Sequence, residues 1–331
     1  MKHNPLIANL RPWCIGRMVF DRPAESSLFY EKYQYAGNDI NINENVSEKT
    51  FQRLMKARGR ALRTKKRKRF VSYADSVAKG LKNSMVETDH HWLEDEAIPS
   101  PYSRIFIHKW ADDPDGLFTQ DGFILAGTTQ LSLTGILDAT AVQEVVRKDS
   151  EWYRQTTYRE DWSIPTERGF CIKGALIGGA PRSNEWVDQT FLLMPGRPAT
   201  FIVTMRSSLK SVQQYSLLKT VPDLRGRLDG RLLLSKMKVL RKGEREFAGM
   251  PAEEVLLSMK EDGVQVFRFY LIAPGTVDDR ARPYTEIRLN LGCKPHDGLP
   301  PERATSPVGK AGALQAWDTL LDSFRVRPGA I

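Results

Sequence analysis

Nucleophilic or metal-assisted catalysis needs His, Cys, Ser and carboxylates at spacings that bring them to one side of an element, and here those residue types are scattered. Cys14, Cys171 and Cys293 lie far apart, which excludes CxxC metal and redox pairs and a disulfide-dense scaffold. They leave room for one long-range disulfide plus one free thiol. His90 and His91 are adjacent, so a strand would send them to opposite faces, and His3, His108 and His296 have no His or Cys three or four residues away. No serine sits in a GxSxG elbow and no HExxH occurs. The cluster Gly174-Ala175-Leu176-Ile177-Gly178-Gly179 has Ala180 and Pro181 where a phosphate loop needs Lys and Ser or Thr, so a strand ending in a Gly-Gly turn is expected instead. In Asp112-Asp113-Pro114-Asp115-Gly116, placing Gly116 at the sixth position of a calcium loop puts Ala111 first and Gly122 last, without the acidic ligands both places require. Glu253 and Glu254 are neighbours that project in different directions, which makes them a poor acid–base pair. No catalytic residue, metal or cofactor is expected from these motifs, and an enzyme would need a site assembled from residues distant in sequence.

The sharpest local signal is charge. Between Arg53 and Arg69 lie ten basic residues and no acid, against a formal net charge of +9 for all 331 residues. The remainder is close to neutral, so the basic character belongs to one segment. Lys65, Lys66, Arg67, Lys68 and Arg69 end that segment and are candidate partner contacts, as is the acidic loop Asp112, Asp113 and Asp115. After the run the sign reverses: Glu87, Asp89, Glu94, Asp95 and Glu96 surround His90, His91 and Trp92 and are expected to neutralise it. Few aromatics interleave with the basic residues, so nucleic acid is not the expected partner.

The elements that must carry these residues follow from periodicity. Ser47 caps a helix that runs through the basic segment to Arg69, with Phe51, Leu54, Met55, Arg58 and Leu62 on one side. Strands are expected over Trp13 to Phe20, Phe29 to Tyr35, Ile105 to Trp110, Phe123 to Ala126 and Gln130 to Leu133, with a helix from Ala139 to Tyr153. Trp162 to Gly169 reads as a linker. Beyond it come strands at Phe170 to Ile172, Phe191 to Leu193 and Thr200 to Met205, a helix around Arg231 to Gly243, strands at Val264 to Ile272 and Tyr284 to Leu291, and a helix from Ala311 to Phe324. Phe170-Cys171-Ile172 echoes Trp13-Cys14-Ile15, and a helix closes each half. Length and this repeat predict two α+β domains, 1–162 and 163–331. Gly122 to Leu137, the longest stretch without a charge, is too polar and too short for a membrane span. The start has no apolar segment of a secretory signal, which leaves a cytosolic protein or a chain whose leader has been removed.

Five blocks resemble the immunity proteins that protect bacteria from type VI secretion phospholipase effectors. They are Arg11-Pro12-Trp13-Cys14-Ile15-Gly16-Arg17 with Asp21 and Pro23-Ala24, Tyr33 to Ile40, Gly169-Phe170-Cys171-Ile172, Phe247 to Glu254, and Trp317 to Ala330. Their order and spacing, more than any single block, carry the resemblance. It implies a non-catalytic inhibitor of two similar α+β domains, each with an antiparallel sheet and packed helices, forming a claw-like cleft. Such a protein grips the phospholipase between its domains and holds the lid so that the active site cannot open at a membrane. The family implies the periplasm as its location, with a leader absent from this chain, and the cytoplasm is the alternative. Whether Cys14 and Cys171 pair or stay separate structural thiols is left open. The competing reading is a protein that binds nucleic acid or an anionic surface through a basic helix over 47–69.

Overall fold

The structure, a computed structural model, describes residues 4–70, 77–78, 80, 86–110, 117–207, 216–219, 237–261, 263–276, 279–295 and 299–331. The chain folds into two compact units, one of residues 1–36, 161–172 and 180–331, the other of 37–160 and 173–179. It begins in the first with β1 (Leu10–Ile15), β2 (Met18–Pro23) and β3 (Ser27–Tyr35). The single strand expected over Trp13 to Phe20 is thus a hairpin: Gly16 takes φ +57°, a left-handed turn geometry that reverses the chain and pairs Trp13 with Phe20.

The chain then enters the second unit through β4 (Asn38–Asn43) and α1 (Glu48–Thr64). Ser47 caps α1 as its sequence requires, its Oγ accepting from Thr50 N at 3.2 Å. Two expectations for α1 are corrected. Its inward stripe is Phe51, Met55, Gly59 and Leu62, while Leu54 is exposed. The helix also stops at Thr64, short of Arg69, because Lys65 is extended and Lys66–Phe70 forms β5, antiparallel to β6 (Val86–His91). Five consecutive cations lack any apolar period to hold them as a helical turn, and like charges four apart repel on a helix. β7 (Leu93–Ala97), β8 (Ser103–Lys109), β9 (Leu117–Ala126) and β10 (Thr129–Asp138) follow, then α2 (Val142–Gln155) and β11 (Thr156–Tyr158). Within this unit the sheet runs β4-β10-β9-β8-β7. Alternation along β9 gives it two covered faces. Asp121 faces α1, where Arg58 donates to it, and Gln120 faces α2, where it donates to Asp149 at 2.7 Å. Gly122 lies under α2 because a Cβ there would sit 1.6 Å from the Tyr153 hydroxyl.

The chain returns to the first unit at 161–172, where the expected linker is irregular but pinned. Trp162 meets Trp13 edge-on at 5.3 Å, and Arg327 donates to the carbonyls of Pro165, Glu167 and Gly169. There β12 (Gly169–Ile172) exchanges backbone hydrogen bonds between Cys171 and Gly16, and a disulfide joins Cys14 to Cys171, so the two aromatic-Cys-Ile segments lie side by side. β13 (Ala175–Gly178) pairs with β11 in the second unit and ends in the expected Gly-Gly turn.

The rest of the first unit is β14 (Trp186–Leu192), β15 (Ala199–Arg206), β16 (Met237–Phe247), β17 (Met250–Glu261), β18 (Val264–Ala273), β19 (Tyr284–Leu291), the short α3 (Pro301–Ala304), α4 (Lys310–Asp322) and β20 (Arg325–Val326). All sheet pairs are antiparallel, in the order β16-β17-β18-β19-β15-β14-β3. Of the helix expected around Arg231 to Gly243, residues 231–236 lie outside the described residues and 237–243 are strand. Arg241 and Arg245 are four apart, a spacing that repeats on one side of both a helix and a strand, so their pattern could not separate the two. The turn at Ala248 (φ 48°) and Gly249 (φ 76°) decides for a hairpin. One face of this sheet is packed by β1, β2 and α4: Phe20 stacks on Phe324 at 4.6 Å, and Phe269 meets Trp317 at 5.8 Å. The architecture is α+β with antiparallel sheets.

Candidate partner-binding site

The basic residues singled out from the sequence sit at the end of α1 and along β5. Lys65 closes the helix, its N–H bonded to Ala61 O, and its ammonium lies 3.3 Å from the centre of the Trp92 ring. That is a cation–π contact on a partly solvated surface, worth about 1 kcal/mol. Lys66 is exposed beside it, with its backbone opposite His91. Arg67 turns inward instead, its Nε donating to the His91 carbonyl at 2.8 Å and its Nη2 paired with Glu94. Lys68 and Arg69 continue β5, opposite β6. Asp112, Asp113 and Asp115 lie outside the described residues.

The acidic stretch does neutralise part of the run. Arg63 pairs with Glu96 and Arg67 with Glu94, and Arg58 donates to Asp121 at 2.5 Å. Burial pushes the Asp121 carboxyl up, but hydrogen bonds from His108 and Arg58 outweigh it and hold its pKa below the ordinary value. Trp92 was the residue the sequence reading did not single out: it lies 7% exposed under Lys65 and anchors the crossing from β6 to β7. Its one signal was an aromatic inside an otherwise charged stretch. The basic segment is therefore most of α1 followed by a strand, with mixed roles, not one continuous basic helix.

Elsewhere the chemistry is that of structure. Glu253 and Glu254 do face opposite sides of β17: Glu253 accepts from Ser216 and from the Leu218 N–H, while Glu254 lies beneath α4 with Trp317, Arg241 and Arg245. Arg17 and Glu185 form a buried two-pronged pair at 2.8 and 2.6 Å. The cavity beside them holds about 30 Å³, the scale of a water and far below a substrate pocket. Among the described residues no group of His, Cys, Asp and Glu is placed to hold a metal ion.

Three solved structures share this fold. The apo immunity protein TplEi of the type VI secretion system of Pseudomonas aeruginosa superposes with TM-score 0.77 at 20% identity, over 98% of this chain and 99% of that one. A chain of the Tle4–Tli4 complex does so with TM-score 0.78 at 20% identity, over 98% and 99%. TplEi bound to an "L" peptide gives 0.73 at 20% identity, over 97% and 99%. Among curated proteins none matches the chain. Residues 11–160 match the family of the N-terminal domain of Tle cognate immunity protein 4, and residues 163–329 match its C-terminal domain. With both domains matched in order, the chain belongs to the Tle cognate immunity protein 4 family, immunity proteins to lipase effectors of type VI secretion.

Proposed function

We propose that this chain binds and inhibits a type VI secretion phospholipase and performs no catalysis itself. Family membership across 11–160 and 163–329 is the observation that carries the reading. In its finer form the effector is gripped between domains 1–162 and 163–331 so that its lid stays shut, and the encounter takes place in the periplasm. The fold shared with a chain of the Tle4–Tli4 complex supports an effector complex, and the Cys14–Cys171 disulfide suits an oxidising compartment. No helix among the described residues is long and apolar enough to cross a membrane. Co-expression with the phospholipase encoded beside it, purification by a tag on one partner and a lipase assay test the reading. Co-elution with lost lipolysis is expected, and separate elution with undiminished lipolysis would overturn it.

The basic residues Lys65 to Arg69 and the acidic Asp112, Asp113 and Asp115 are proposed as steering charges for that encounter. Because Arg67 is 8% exposed and structural, the informative variant reverses only Lys65 and Lys66. Lys65→Glu with Lys66→Glu is expected to slow association about 10-fold at low salt and to change little at high salt, read by stopped-flow or biosensor kinetics. An unchanged association rate at low salt would remove this role.

A further inference from the structure

The face of the first unit's sheet opposite α4 carries a cation, Arg268, that has no carboxylate partner among the described residues. Register sets Thr200, Asn290 and Arg268 in one row across β15, β19 and β18, and Ile202, Arg288 and Tyr270 in the next. Residues paired across strands emerge on one face, so these side chains share a surface, while their chain neighbours Phe201, Leu289 and Phe269 point into the core. Thr200, Arg268, Tyr270, Arg288, Asn290 and Cys293 wall a cavity of about 320 Å³.

The two arginines differ. Arg288 is exposed and answered by Glu286 on its own strand, with Nε to Oε1 at 2.5 Å. Arg268 is half-buried, and its Nη1 donates to the carbonyls of Phe267, Leu291 and Gly292 at 2.8, 3.2 and 3.0 Å. Those carbonyls satisfy one nitrogen of the fork but do not balance the charge. The charged or titratable groups felt by Arg268 are Tyr270 and Cys293, and no carboxylate among the described residues is one of them. Burial accordingly lowers the pKa of the guanidinium, yet arginine stays charged at any ordinary pH. A cation withdrawn from water without a partner is costly until an anion reaches it. Glu286 and Asp188 belong to a further row, opposite Thr204 from either side, so the positive end of the face is the end at Arg268.

We propose that this cavity anchors an acidic side chain of the phospholipase, making the half-buried Thr200, Arg268 and Asn290 and the exposed Arg288 part of the effector contact. The inference rests on the effector-binding reading above. A planar guanidinium takes a carboxylate in two parallel hydrogen bonds, and Thr200, Asn290 and Tyr270 stand around it with further polar groups. Arginine and tyrosine at a desolvated centre are also the residue types that dominate binding energy in protein interfaces.

Two measurements on the full chain and the co-expressed phospholipase test it. Affinity is measured for the wild type, Arg268→Gln and Arg288→Glu, with thermal melts of each variant alone. Arg268→Gln is expected to bind at least about 30-fold more weakly, and Arg288→Glu, at the exposed rim of the cavity, at least about 10-fold more weakly. The second readout needs no variant: Cys293, the one cysteine outside the disulfide and partly exposed in the same cavity, is alkylated with iodoacetamide in the free chain and in the complex. Complex formation is expected to slow its alkylation markedly. A folded Arg268→Gln chain of unchanged affinity, or Cys293 that reacts equally fast in the complex, overturns the proposal while effector binding stands. If Arg268→Gln does not fold, Arg288→Glu and the Cys293 rate decide alone. A wild-type chain that fails to bind the phospholipase overturns both readings.

Discussion

At the scale of single residues, two carboxylates show how position sets the role of one residue type. β17 turns Glu254 inward, 5% exposed, where Trp317 Nε1 donates to it at 2.9 Å and Arg245 at 3.1 Å. Removing that charge still leaves Asp318 to Arg241 and Arg245 and Asp322 to Arg245, so Glu254→Gln is expected to lower the unfolding free energy by about 2 kcal/mol in urea melts, the scale of its charge-assisted hydrogen bonds. Glu253→Gln, on the other face, should cost well under that. Asp121 supplies a pH-dependent contribution. His108 and Arg58 hold its folded-state pKa below the ordinary value, so its stabilisation is complete above about pH 4 and is lost as pH falls through and below that value. Asp121→Asn should therefore flatten the acid limb of stability against pH, measured by urea midpoints. A parallel loss at every pH would show that the pairing carries no titration. The adjacency of Glu253 and Glu254 announced their divergence in sequence; the partnership of Asp121 with a histidine and an arginine from two other elements did not.

Among the elements, local signals were strong wherever the chain's own period was unambiguous. Ser47 with Glu48, the turn at Gly178 and Gly179, and β19 (Tyr284–Leu291) were all legible because caps, left-handed turn residues and alternation act over a few residues. The basic run and residues 237–243 were not, since Lys, Arg and Leu suit a helix locally while strand pairing with β6 and β17 overrides that preference. The join between the β1–β2 hairpin and β12 belongs to this scale as well. The disulfide closes a sequence separation of 157 residues, and removing it through Cys14→Ala with Cys171→Ala is expected to cost about 3–5 kcal/mol. Urea midpoints of the variant, and of the wild type with and without dithiothreitol, check this. Equal midpoints would mean that the core of Trp13, Phe20 and Phe191 holds the hairpin unaided.

For the whole molecule, the order of the chain and the order of packing differ. Residues 1–36 belong to the same compact unit as 180–331, where Phe20 contacts Phe191, Phe201 and Phe324. A fragment of residues 163–331 lacks that hairpin and would expose those rings. It is expected to be insoluble alone and to be recovered when residues 1–162 are co-expressed, as solubility and co-purification would show. A soluble, cooperatively melting 163–331 fragment would mean that the sheet and α4 form a sufficient core by themselves.

Sequence by itself determined the α+β class, most of the strands, the cap of the long helix with Phe51, Met55 and Leu62 on its inner face, the lack of catalytic and metal motifs, and the family, because periodicity, caps and the order of short blocks are written along the chain. Tertiary structure alone decided that Cys14 meets Cys171, that Arg67 is an inward structural cation and Lys65 a surface one, and that Arg268 lacks a carboxylate among the described residues. Those outcomes depend on which distant segments come together. Burial and counter-charge are properties of neighbours in space, and neither is encoded in a residue's own position along the chain.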